Sequence, residues 1–206
     1  MHQGIFTCSH VNLGAIYPVH WLRFATASIA VTATHRRIRK KNAEFIYQIE
    51  DFNPNAIRVD HQLLHAHYRA FIDFDGANSI QECLLGDDYD GLNVFNTKCI
   101  SVFYGARLIA GGYFDIGRNS AASILHFFDP DFKKHSLGKY LILLTVDYLK
   151  QCGYAWYYPG YIVEGMPKMN YKLFLGTDVE YYEPEIMQWQ KFDFTKINNS
   201  GNELIQ

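Results

Sequence analysis

Apolar residues recur along this chain in two rhythms, and the changes between them mark its elements. In the first 34 residues Phe24, Ile29 and Val31 stand at strand-like spacing, while Gly4, Gly14 and Pro18 interrupt the stretch before them. One or two strands are expected there. Residues 44–50, with Phe45, Ile46, Tyr47 and Ile49, have strand composition. Asp60 is placed to cap a helix reaching about Ile72, because Leu64, Tyr68, Phe71 and Ile72 recur on one helical face. A short helix is expected around residues 80–85. From Lys98 the pattern changes to strands at 99–104, 108–116 and 122–128, parted by Gly105-Ala106-Arg107 and Gly117-Arg118-Asn119-Ser120. Both separators have hairpin-turn composition, so an antiparallel meander is expected. Ser136 is placed to cap an apolar helix over 139–150, which ends at Cys152-Gly153 and gives way to an aromatic strand over 154–163. Strand, helix, strand implies a parallel pair at the end of the meander.

Bulk properties narrow what such a chain does. Its 206 residues are 49% apolar and 16% aromatic, enough for one substantial core, so a single domain over 1–206 is expected. Only 19% of residues are charged and the formal net charge is -2. No global basic field marks a nucleic-acid partner, and any RNA contact must use a local patch. The one dense positive cluster is Arg36-Arg37-Ile38-Arg39-Lys40-Lys41. Cys8, Cys83, Cys99 and Cys152 lie far apart, without the close pair of a zinc or redox site, which fits a reduced cytosol. The sequence shows no signal-peptide pattern and no apolar run near the ~20 residues of a spanning helix. A cytoplasmic protein with no membrane partner is expected.

Two negative findings shape the chemistry. His61 and His65 stand four apart with His67 close by, yet no Glu follows His61 to make a His-Glu-x-x-His site, so no metal is expected and the histidines are assigned to the surface or to caps. No Gly-x-Ser-x-Gly elbow is present, and no covalent nucleophile is expected. Two segments are more suggestive. Lys133-Lys134-His135-Ser136-Leu137-Gly138-Lys139 has three lysines and a histidine around one glycine at a helix start, a setting that favours phosphate. Tyr157-Tyr158-Pro159-Gly160-Tyr161, followed by Pro167-Lys168-Met169-Asn170-Tyr171-Lys172, joins aromatic faces, turn formers and cations, the combination a single-stranded RNA end requires.

The element order is similar to the GNAT acyltransferase fold, an α/β (α+β) arrangement with a mixed, mostly antiparallel sheet flanked by helices. The motifs point further. Arg36 through Asn42, Phe127-Phe128-Asp129-Pro130-Asp131-Phe132, Ser136-Leu137-Gly138-Lys139-Tyr140, and Tyr158 through Lys172 together resemble the arginyl/leucyl-tRNA-protein transferase family, and occur in the family's order. The resemblance covers roughly residues 20 to 192, including Glu183 and Trp189. The family's Leu-Gly between tyrosines is Pro159-Gly160 here, and its Arg-His pair after the first long helix is Ile72-Asp73. Its cysteine-rich N-terminal module is expected to be missing, only Cys8 lying in that region, so no iron–sulfur cofactor is expected.

The resemblance implies that an aminoacyl-tRNA is the co-substrate, with no other cofactor. Its ester is attacked by the α-amine of an acceptor protein's N-terminus, an acidic one in much of the family. It then implies that Tyr157, Tyr158 and Tyr161 meet the 3′ adenosine, while Lys168, Lys172 and the 36–41 cluster contact phosphates. Ser136, Gly138, Met169 and Tyr171 complete the substrate site. Backbone N–H groups over 124–127 stabilise the oxyanion, Asp129 or Asp131 orients or deprotonates the amine, and Arg36 or Arg37 meets an acidic acceptor. Two other readings stay open: an acetyl-CoA-dependent N-acetyltransferase on the same fold, and a non-catalytic tRNA-binding relative. Arg and Leu are not separated as the transferred residue.

Overall fold

The computed structural model describes residues 19–73, 76–86, 95–163 and 166–195. Cys8 and the part of the first expected strand region before residue 19 lie outside them. The meander is present as β3 (Asn96–Tyr104), β4 (Arg107–Ile116) and β5 (Ser120–Phe128), antiparallel throughout. Tyr104 pairs with Arg107 across a two-residue turn in which Gly105 takes φ 59°, a conformation open to glycine at little cost. With β1 (Val19–Ala25), β2 (Ile46–Asp51), β6 (Trp156–Val163), β7 (Val179–Glu183) and β8 (Gln188–Lys191), these strands form one sheet of order β2-β3-β4-β5-β6-β1-β7-β8. The mixed, mostly antiparallel α/β architecture is therefore as expected.

The parallel contact between β5 and β6 is short. It joins Ser120 to Trp156, Ala121 to Tyr157 and Ala122 to Tyr158, and then the strands part. The next residues of β6 explain the parting: Pro159 has no N–H to give a ladder, and Gly160 takes φ 106°, outside the strand region. On its other side β6 pairs antiparallel with β1, from Val19 against Val163 to Ala25 against Trp156. The two halves of the sheet are thus hinged along a three-pair seam that opens toward the end of β5.

Helices cover both faces. α4 (Leu137–Gln151) buries nine of its fifteen residues, among them the unbroken run Tyr140 to Val146, as a helix apolar on nearly every side must. Alternate residues of β3 serve two cores: Ile100 and Val102 join the α4 side, while Cys99 and Phe103 join a smaller cluster beneath α2 (Val59–Phe71) and α3 (Ile80–Leu85).

One element was not anticipated and three local expectations are corrected. The basic run is a helix, α1 (Ala33–Lys41): the Thr32 side chain accepts from the His35 N–H and the His35 ring accepts from the Thr32 N–H, a reciprocal cap. Ile29 and Val31 are not in a strand, because a 3₁₀ turn at Thr26–Ser28 ends β1 and leads into α1. Asp60 does not cap α2. It lies in the first turn, where its carboxylate takes the Arg58 guanidinium at 2.6 Å and the His61 N–H at 2.9 Å. Ser136 precedes α4 without a side-chain cap bond. It sits in the left-handed region, φ 54°, as the joint between the 3₁₀ segment Pro130–His135 and α4, which starts at Leu137.

Candidate functional site: a cationic cleft at the sheet's splay

Beside the stretch of β5 that β6 leaves is a cleft of about 460 Å³. One wall is β5 itself, Ile124 to His126; another is the start of α4, Ser136 to Lys139; the 3₁₀ segment Pro167–Leu175 and the last turns of α2 close it. Because β6 leaves β5 after Ala122, the backbone of residues 123–128 on that side is not paired with β6. Arg69, Lys139, Lys168 and Lys172 line the cleft, with His65 and His126, and no Asp or Glu does so among the described residues. In a chain of net charge -2, this segregation favours an anionic ligand.

A second hollow of about 290 Å³ adjoins the first through shared residues Ser136 and Lys139. Its other charged walls are Arg37 and Lys41 of α1. The helix is fixed against its neighbours by parts of the same motif. Arg39 forks onto Asp147 of α4 at 2.7 and 2.9 Å. The buried Asn42 side chain donates to the carbonyls of Ile38 and His135 at 2.8 and 3.0 Å. His35, whose Nδ1 accepts from Thr32, directs Nε2 at the Phe174 carbonyl at 3.0 Å, tying α1 to the 3₁₀ segment. The basic motif therefore divides its work: Arg39 holds the fold, while Arg37 and Lys41 face the hollow.

Two basic groups meet in the cleft. Lys172 is only 7% exposed; its Nζ donates to the Tyr161 carbonyl at 2.9 Å and lies over the Tyr171 ring at 4.6 Å. Burial pulls its pKa from the ordinary 10.5 down to about 8. Gly160 makes room for it, since a Cβ there would stand 3.3 Å from Lys172 Cε. His126 is half-buried, and its Nε2 is shut off from solvent without a hydrogen-bond partner. Burial, then the Lys172 charge, lowers its pKa to about 4, so the ring is neutral near pH 7. The imidazole fits because Gly112, its cross-strand partner, has no side chain; a Cβ there would lie 2.8 Å from His126 Cδ2.

Of the expected site residues, the structure gathers Ser136, Gly138, Lys168, Met169, Tyr171 and Lys172 around the cleft, with Arg37 in the adjoining hollow. Tyr161 supplies the carbonyl that holds Lys172 and meets Trp21 edge-on at 5.2 Å. The rest sit elsewhere. Tyr157 is fully buried, its hydroxyl 2.6 Å from Ser123 Oγ, so its ring is part of the core and offers no stacking face. Tyr158 packs on Trp189 at 5.5 Å. Arg36, exposed, donates to the Val31 carbonyl and lines neither hollow. Asp129, 2% exposed, caps the 3₁₀ segment through the Asp131 N–H and is ion-paired with Arg107, which also reaches Asp131 at 3.4 Å. Neither aspartate lines the cleft.

Sequence reasoning missed Arg69 and His126, which share no motif and meet only through the splay, whereas Lys139 lies in the 133–139 segment read as favouring phosphate. It also misplaced two histidines. His61 and His65 are buried under the sheet, not at surface or caps. The Tyr113 hydroxyl pairs with His61 Nδ1 and Ser101 Oγ with the ring's Nε2, both at 2.9 Å, a pairing that satisfies a neutral imidazole in either tautomer.

The fold and its cleft define the class: a mixed, mostly antiparallel α/β protein with a cleft at a splayed parallel seam whose cationic lining favours an anionic ligand. The particular family follows from comparison. The family described as "Arginine-tRNA-protein transferase, C terminus" matches residues 32–178. The chain belongs to that family. It is similar to the arginyl-tRNA–protein transferase 1 of Saccharomyces cerevisiae, 38% identical over 77 residues, 37% of this chain and 15% of that protein. It is also similar to the aspartate/glutamate leucyltransferase of Acinetobacter baumannii, 34% identical over 106 residues, 48% of this chain and 37% of that protein. The chain matches well under half the length of these relatives. Among solved structures, the C-terminal domain of a lysylphosphatidylglycerol synthetase from Agrobacterium fabrum shares the fold at TM-score 0.53 and 9% identity, over 71% of this chain and 49% of that one.

Proposed function

We propose that this chain is an aminoacyl-tRNA-dependent protein transferase, in which an aminoacyl ester in the cleft is attacked by the N-terminal α-amine of an acceptor protein. The single observation behind this reading is that the cleft at the splayed edge of β5, lined by cations and by no carboxylate among the described residues, runs into the Arg37, Lys41 and Lys139 hollow, in a chain of this family. A charged 3′ end needs both features: a place where a carbonyl is held, and cations for the phosphates leading away from it. The unpaired edge of β5 supplies polar backbone groups for the ester. The donor is already activated, so holding ester and amine together accounts for much of the rate. An acidic acceptor start and a cytoplasmic setting, where charged tRNA is found, are the finer parts of this proposal. Among the described residues no helix is long and apolar enough to cross a membrane.

The test is transfer of label from Arg-tRNA or Leu-tRNA to peptides beginning with Asp, Glu, Lys or Arg, with labelled acetyl-CoA in parallel. Label in an acidic-start peptide is the expected result. Acetyl transfer alone would overturn it in favour of an acetyltransferase, and tRNA binding with no transfer to any peptide would leave a non-catalytic binder. Replacing Arg37 and Lys41 together by Ala is expected to weaken tRNA binding and lower the slope of log affinity against log salt by roughly 2, about one unit per lost phosphate contact.

A further inference from the structure

The transfer chemistry needs a proton carrier, and this inference rests on the functional reading above. An acceptor amine is protonated in water near neutral pH, and the nitrogen must shed a further proton once it has bonded to the ester carbon. The aspartates expected for this step are committed elsewhere, Asp129 to Arg107 and to the Asp131 N–H, and neither faces the cleft.

We propose that Lys172, in its neutral form, is the general base of the reaction. Its Nζ takes a proton from the acceptor nitrogen as the C–N bond forms. It gives the proton to the 3′-oxygen of the tRNA as the C–O bond breaks. Amine plus ester becomes amide plus alcohol, and no further reactant is required.

The placement favours this role over anion binding. Lys172 crosses from the 3₁₀ segment to β6, where one carbonyl and the faces of Tyr161 and Tyr171 surround the ammonium. Among the described residues Lys172 makes no ion pair with a carboxylate, whereas Lys168 on the same segment meets Asp73 at 3.4 Å. The titratable groups facing it across the cleft are His126 from β5, Lys139 from α4, and His65, Tyr68 and Arg69 from α2. None is a carboxylate, so among the described residues no acid across the cleft holds the proton on Lys172. Burial works the other way and brings its titration to about 8, within reach of working pH. The Tyr161 carbonyl orients the amine, and Gly160, without a Cβ, clears its path.

The test is single-turnover transfer against pH. An aminooxyacetyl peptide serves as acceptor, because its nucleophile is unprotonated over the whole range and any rising limb belongs to the protein. The rate is expected to rise tenfold per pH unit and level off near the Lys172 pKa of about 8. Lys172→Arg keeps the charge and the bond to the carbonyl but cannot give up a proton. It is expected to lose the rising limb and roughly a hundredfold or more in rate while still binding charged tRNA. A Lys172→Arg protein with the wild-type profile, or with a uniformly lowered rate and the limb intact, would overturn the assignment. Should the variant misfold, the wild-type protein carrying ¹³C-lysine decides: a Lys172 resonance titrating above pH 10 overturns the proposal, and one titrating near 8 upholds it. Wild-type silence with every charged tRNA instead overturns the functional reading itself.

Discussion

Gly112→Ala is a one-methyl perturbation aimed at the cleft from behind. The new Cβ would lie 2.8 Å from Cδ2 and 3.4 Å from Nε2 of His126, and 3.5 Å from the Leu125 carbonyl. The first distance is too short for carbon against carbon, so the imidazole must turn out of its place. Overpacking of this kind costs about 1–3 kcal/mol. For a chain of this size that lowers the melting temperature by roughly 2–10 °C. Transfer should fall as well, because the displaced ring is the cleft group whose Nε2 has no protein partner. The assay is a double-mutant cycle by thermal melting. Gly112→Ala in a His126→Ala background removes the clash, so the cost should shrink to a few tenths and the coupling should exceed ~1 kcal/mol. Equal costs in both backgrounds would refute the reasoning, since the methyl would then be resisted by the sheet and not by His126.

Three further predictions test the buried network and the two aspartates. His61 has a pKa of about 4 against an ordinary 6.5, because burial disfavours its charged form. A lowered histidine leaves stability unaffected above pH 6.5 and subtracts from it as pH falls toward 4, to a limit of about 3 kcal/mol. Urea unfolding between pH 7 and 4 should show that loss, and a flat profile would contradict the neutral pairing with Tyr113 and Ser101. Asp129→Ala removes the cap of the 3₁₀ segment and the Arg107 partner, so a destabilisation of about 1–2 kcal/mol is expected. Asp131→Asn should leave transfer within about twofold, as expected of an exposed surface pair. A loss of transfer in Asp131→Asn with normal melting would restore the aspartates as catalytic.

The chain itself carries the meander, the apolar helix after it and the parallel return, because strand and helix burial repeat at fixed periods and α4 is apolar on nearly every side. Its motifs carry the family, and most of the 133–139 and 167–172 residues do reach the cleft. α1 was legible in principle from Thr32 and His35 three apart, but a basic run without apolar period hides a helix whose stability comes from Arg39 on Asp147 and Asn42 on His135. Other features depended on which faces meet. Pro159-Gly160 marks a break in any strand, yet that it opens the β5–β6 seam depends on β1 holding the other side of β6. Tyr157 and Tyr158 are neighbours in a motif, and strand alternation sends one into the core and the other onto Trp189. Lys172 and His126 are 46 positions apart, and neither carries a local signal of burial. Spacing along a chain fixes which residues share a face of one element. The environment that makes a lysine a base is set by the low-dielectric, cationic walls that other elements supply, and those come together only in the folded protein.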